Sequence, residues 1–147
     1  MDNPDIDYMQ PTNESELKDQ LEDILSGIIS TLDIYDVIDN GSTYDIINLK
    51  NSNMLYEDIN LKIVANIIAS ALNTGEEVNQ SSIDKVLETE KYAVSKMVEV
   101  KIYEELTESS DNFDRLTIYE TKLTEAEHKS AKAVDKLLHH CHLLISV

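Results

Sequence analysis

Apolar residues along this chain recur mostly at steps of three and four, the spacing that places side chains on one face of a helix. Leu17, Leu21, Ile24, Leu25, Ile28, Ile29, Leu32 and Tyr35 form the first such stripe. It predicts a helix that opens near Asn13, with Glu16 completing a capping box, and closes at Asn40-Gly41, where glycine accepts a left-handed conformation. A second stripe, Leu55, Ile59, Ile63, Val64, Ile67, Ile68 and Ala71, predicts a helix from about Asn53 to Leu72, stopped by Asn73-Thr74-Gly75. Between them, residues 42 to 52 carry Tyr44, Ile46, Ile47 and Leu49, which fit either a short strand or a helical turn.

The second half of the chain is simpler. Ser81 or Ser82 is placed to cap a long helix reaching about Glu108, with Ile83, Leu87, Val94, Val98 and Ile102 along one side. Ser109-Ser110-Asp111-Asn112 is a turn, and a last helix runs from there to the C-terminus. From Leu116 through Tyr119, Leu123, Ala126, Ser130 and Ala133 to Leu137 the steps alternate three and four, and Leu144 lies one heptad on. That is a heptad seam, thin in its middle, and it predicts close approach of another helix and self-association along residues 116 to 144.

The expected fold is all-α: a helical bundle with a long C-terminal antiparallel hairpin and an extended acidic N-terminal arm. Residues 1–12, which hold Pro4, Pro11 and three aspartates, are that arm. Residues 13–75 are an acidic helical region, and residues 81–147 are the hairpin that packs and assembles.

Composition sharpens the picture. The 147 residues carry 12 Lys+Arg against 29 Asp+Glu, a net charge of −17. Residues 1 to 75 hold three lysines against fourteen acids, whereas residues 116 to 147 hold four lysines and four acids. Such a balance repels bare nucleic acid, so direct nucleic-acid binding is expected to be absent or weak. It suits a basic protein partner instead. Asp33, Asp36 and Asp39, three apart at the end of the expected first helix, are the candidate acidic surface for that partner. No apolar run approaches the length of a membrane span. The start is acidic where a secretory leader is basic, and the one cysteine, Cys141, fits a reducing compartment. A cytoplasmic protein, in a host cell or a virion, is the expectation.

Candidate chemistry is sparse. His139-His140-Cys141-His142 is the one cluster of metal-ligating types. On a helix His139 and His142 share a face from which Cys141 is turned away, and two ligands fall short of the four of a structural zinc site. Histidines in a last turn also favour the negative end of a helix. No glycine-rich phosphate loop, G-x-S-x-G elbow or H-E-x-x-H motif occurs. The chain reads as no enzyme, with no cofactor, no metal and no small-molecule substrate.

Lys101-Ile102-Tyr103, Tyr119-Glu120-Thr121-Lys122 and Ala131-Lys132-Ala133-Val134-Asp135-Lys136-Leu137-Leu138 lie within a stretch, about Lys85 to Leu144, that resembles the helical hairpin of small terminase subunits of tailed phages. The resemblance implies a ring-shaped oligomer that recruits a separate ATP-driven motor and recognises viral DNA. Small terminases often carry an N-terminal helix-turn-helix that binds DNA. Here that half has fourteen acids and no arginine, so no DNA-binding residues carry over. The expected function is a non-enzymatic acidic helical interaction protein, viral in origin, that self-associates through its hairpin. The alternatives are a nucleic-acid mimic that inhibits a basic host or defence protein, and a scaffolding component of a larger particle.

Overall fold

The computed structural model describes residues 14–145. The N-terminal arm of residues 1–12 and the Asn13 cap lie outside the described residues. In chain order the elements are α1 (Glu14–Ser26), β1 (Tyr35–Asp39), β2 (Tyr44–Asn48), β3 (Asn53–Ile59), α2 (Lys62–Leu72), α3 (Gln80–Ser109) and α4 (Phe113–Ile145). The chain is therefore mostly helical and not all-α: a three-stranded antiparallel sheet, in the order β1-β2-β3, occupies the middle of the expected acidic helical region.

Two expected helices are corrected. The first stops at Ser26, and the chain beyond it runs into β1. Ile28, Ile29, Thr31, Ile34, Val37 and Ile38 are β-branched, stiff at χ1, and pack well on a pleated surface. Asn40-Gly41 builds a hairpin turn instead of a helix end. The Asn40 amide donates to the Thr43 carbonyl at 2.9 Å, and Gly41 holds a φ of 99°. The expected second helix is likewise divided, with residues 53 to 59 forming β3 and α2 starting at Lys62. Residues 42 to 52 resolve as β2 and the turn that follows it.

β1 pairs with β2 in regular register from Tyr35↔Asn48 to Asp39↔Tyr44. β3 is irregular. Tyr44 faces Ile59 while Ile46 faces Tyr56, and Ile47 faces Met54, so β3 carries two bulges. Asp58, at a φ of 62°, sits in one of them.

The core forms around α2, whose Ile63, Val64, Ala65, Ile67, Ile68, Ala69 and Ala71 are all buried. α2 touches α1, the three strands and α4. A helix apolar almost all round needs cover on almost every side, and it receives that cover from Leu17, Leu21 and Ile24 of α1, Ile46 and Ile59 of the sheet, and Val134, Leu137 and Leu138 of α4.

α3 and α4 are the expected antiparallel hairpin, 30 and 33 residues long. Asn79 caps α3, its side chain accepting from the Ser81 amide at 2.8 Å, so the cap falls just before the expected serines. Asn112 Oδ1 accepts from the amides of Asp114 at 2.9 Å and Arg115 at 3.1 Å and so opens α4. No helix among the described residues is long and apolar enough to cross a membrane.

Candidate contact surfaces

The hairpin has two unlike halves. Ile83, Val86, Ala93, Met97 and Val100 on α3, and Ala126, Ala133, Val134, Leu137, Leu138, Cys141 and Leu144 on α4, are buried. From Lys101 to Glu125 no residue is buried. At a rise of about 1.5 Å per residue, that half extends roughly 15–20 Å past the last buried layer. The seam is split accordingly. Leu116, Tyr119 and Leu123 are half-buried, whereas Ala126, Ser130, Ala133, Leu137 and Leu144 are buried within the monomer. The expected assembly seam thus faces the chain's own α3, and near its end α1 and α2 as well. The large apolar side chains left open toward the far half of the hairpin are a different set, Val98, Ile102, Phe113 and Ile118, at 49%, 48%, 79% and 57% exposure, while Tyr92 and Leu143 are exposed on its base.

Asp33, Asp36 and Asp39 are all exposed but are not a helical row. Asp33 precedes β1, and Asp36 and Asp39 lie three apart on a strand, which directs them to opposite faces. Asp39 is also engaged locally, its Oδ1 accepting from the Gly41 amide at 2.8 Å.

Among the described residues, the sheet has one covered face and one open face. Tyr35, Val37, Tyr44, Ile46, Tyr56 and Ile59 pack on the helices. Alternation then places Asp36, Ile47 and Met54, partners across the three strands, on the other face, next to Ile38 paired with Asp45. Met54 is 43% exposed, and the bulged Leu55 beside it 42%. Asp45 is buried and satisfied there, accepting from Asn40 Nδ2 at 2.7 Å and from the Asp58 amide at 3.0 Å.

Two buried polar residues that periodicity passed over hold together the head formed by α1, the sheet and α2, and fasten it to α3. Asn73 Oδ1 accepts from the amides of Ile34 and Tyr35, both at 3.0 Å, and its Nδ2 donates to the Tyr35 carbonyl at 2.9 Å. Its own carbonyl receives the Thr31 and Leu32 amides. The side chain acts as a short strand partner for the start of β1. Glu90, fully buried on α3, accepts from the Leu61 amide at 2.7 Å and from Asn60 Nδ2 at 3.3 Å. Leu61 is the N-cap of α2 and has no capping side chain of its own, so Glu90 brings a carboxylate to that helix start from another element. Burial lifts the Glu90 carboxyl above the ordinary glutamate range, against the pull of its Leu61 and Asn60 hydrogen bonds. Lys91 Nζ donating to the Asp58 carbonyl at 3.2 Å, and Tyr56 Oη donating to Gln80 Oε1 at 2.7 Å, tie the same helix to β3.

The histidine cluster spreads around α4. His139 and His142 are exposed, His140 is half-buried, and the His139 and His140 rings meet edge-on at 5.4 Å. Partial burial, then the charges of His139 and Lys85, hold His140 below the ordinary histidine range. Burial, with a smaller effect of Glu90, pushes the Cys141 thiol up to about 12, so it is no thiolate ligand or nucleophile near neutral pH. No group of three or more potential metal ligands comes together among the described residues. An open groove between the ends of α1, α2 and α4 and the start of α3 is lined by Ile28, Ile29, Ala71, Val78, Leu143 and Leu144, with Glu76 and Glu77 also on its wall. Comparison with protein families, curated proteins and solved structures finds no match to this chain.

Proposed function

We propose that this chain is a non-enzymatic contact protein that self-associates through the projecting half of its helical hairpin and turns an acidic head toward a basic protein partner. One observation carries the first part: residues 101 to 125 leave the core with no buried residue, yet display Ile102, Phe113 and Ile118 to solvent beside Val98. Two helices alone bury one stripe each, and a second hairpin laid against them supplies the missing layers of a four-helix bundle. The charge asymmetry supports the second part. Residues 1 to 75 carry a net −11, the sign that attracts a basic partner, while the projecting residues 101 to 125 carry seven acids against three bases, a net −4, so copies meeting there face less repulsion than two heads would.

A small-terminase-like subunit is the specific form of this reading in which the hairpins close a ring, in keeping with the resemblance carried by residues 85 to 144. Light scattering on the purified chain tests the common core of both. A mass of two or more chains at micromolar concentration is expected. Ile102→Asp with Ile118→Asp, both on exposed positions, reduces it to that of one chain while the helical content stays unchanged. A monomeric wild-type chain would overturn the proposal, as would a variant whose mass does not fall.

A further inference from the structure

We propose that the open face of the sheet docks a basic amphipathic helix supplied by a protein partner. The inference rests on the reading of this chain as a contact protein and names the partner of its acidic head. α2 covers one face of β1, β2 and β3, and no element among the described residues covers the other. That other face has an apolar centre, Ile38, Ile47 and Met54, with Leu55 at the bulge beside it. Three strands separate the outer strand axes by about 10 Å, close to the diameter of one helix with its side chains. Carboxylates lie on both outer strands beside this face: Asp36 on β1, and Glu57 and Asp58 on β3, all exposed. A helix lying along β2 would bury its apolar stripe on Ile47 and Met54 and present flanking Lys or Arg side chains to the acids on either side.

Charge decides between occupants. Residues 28 to 60 contain six acids and one base, Lys50. Two copies of this segment would bring a net −5 against a net −5, and a nucleic acid or an anionic membrane would bring the same sign. A cationic helix is the complement. The apolar centre adds selectivity, because diffuse attraction to the acids alone does not require side chains at helical spacing.

The test uses the full chain and a fluorescently labelled Leu/Lys peptide whose leucines fall on one helical face, with a scrambled peptide of the same composition as reference. Anisotropy titrations at moderate salt are expected to show binding that is about tenfold or more tighter for the amphipathic peptide. Met54→Gln with Leu55→Gln lowers its affinity about tenfold, the loss that follows from removing about 1.4 kcal/mol of apolar contact. Glu127→Gln with Asp135→Asn, both exposed on α4 and outside residues 101 to 125, leaves the affinity unchanged, while Asp36→Asn with Glu57→Gln, which removes the same charge, weakens it. Absence of binding, equal binding of the scrambled peptide, or equal losses from the two charge-removing pairs would each overturn the proposal. Light scattering on the Met54/Leu55 variant separates the two readings. Its mass matches the wild type, and peptide binding that persists in a monomeric chain leaves the docking face standing while self-association falls.

Discussion

Asn73 shows how much of this head depends on one side chain. It terminates α2 and then satisfies three backbone groups of Ile34 and Tyr35 through its amide, so helix end and strand start are fixed together. Asn73→Ala leaves those groups without partners in a site only 7% exposed, and a loss of about 2–3 kcal/mol in urea unfolding is expected. A loss below about 0.5 kcal/mol would show that water replaces the amide. Glu90 is the other residue of this kind, and its effect has an unusual sign. Its folded-state pKa is raised above 4.5, so the folded chain holds the proton more tightly than the unfolded one. The stabilisation linked to that proton is complete below the unfolded value and is lost as pH rises through the folded value. Glu90→Gln should therefore flatten the fall in stability as pH climbs above 4.5, measured by denaturant unfolding at several pH values. An unchanged slope would refute this account. Neither residue was marked by periodicity, because a buried polar group that bonds to backbone distant in sequence leaves no spacing signal.

At the scale of elements, the long helices were legible and the sheet was not. α3 and α4 run 30 and 33 residues, enough for a three-and-four pattern to repeat many times, and their turn residues Ser110, Asp111 and Asn112 announce the break. The strands run five, five and seven residues, too few for alternation to outweigh an accidental helical spacing. Ile28, Ile29 and Leu32, in the approach to β1, and Tyr35, its first residue, mimic a helical stripe, and the bulges in β3 erase its alternation. The β-branched run from Ile28 to Ile38 and the Asn40-Gly41 pair were the available signals for a hairpin. The two halves of α3–α4 also answer differently to truncation. Leu137→Ala, in the core, is expected to cost about 2–5 kcal/mol. Leu123→Ala, half-buried on the projecting half, should cost about 1 kcal/mol, since its side chain loses less contact. Equal costs in denaturant unfolding would mean that the projecting half is as tightly packed as the base.

For the whole molecule, the decisive feature is that one helical hairpin serves two purposes. Its base closes the core over α2, and its far half extends beyond that core with apolar side chains uncovered. The net −17 is borne mainly by the head and by α3, so the folded chain has a charged end and a hairpin with one neutral helix. The sequence by itself determined the hairpin, its turn, the apolar character of α2 and the uneven charge, because each follows from local periodicity, capping or composition. Tertiary structure decided which side of the heptad seam is spent inside the monomer, and that Asp33, Asp36 and Asp39 fall on and beside a strand. It also decided that Glu90 and Asn73 act as capping groups for backbone far along the chain. The physical reason is the same in each case. A pattern of apolar positions specifies that a face must be covered, but which element covers it depends on contacts between residues tens of positions apart, and those exist only once the chain has folded.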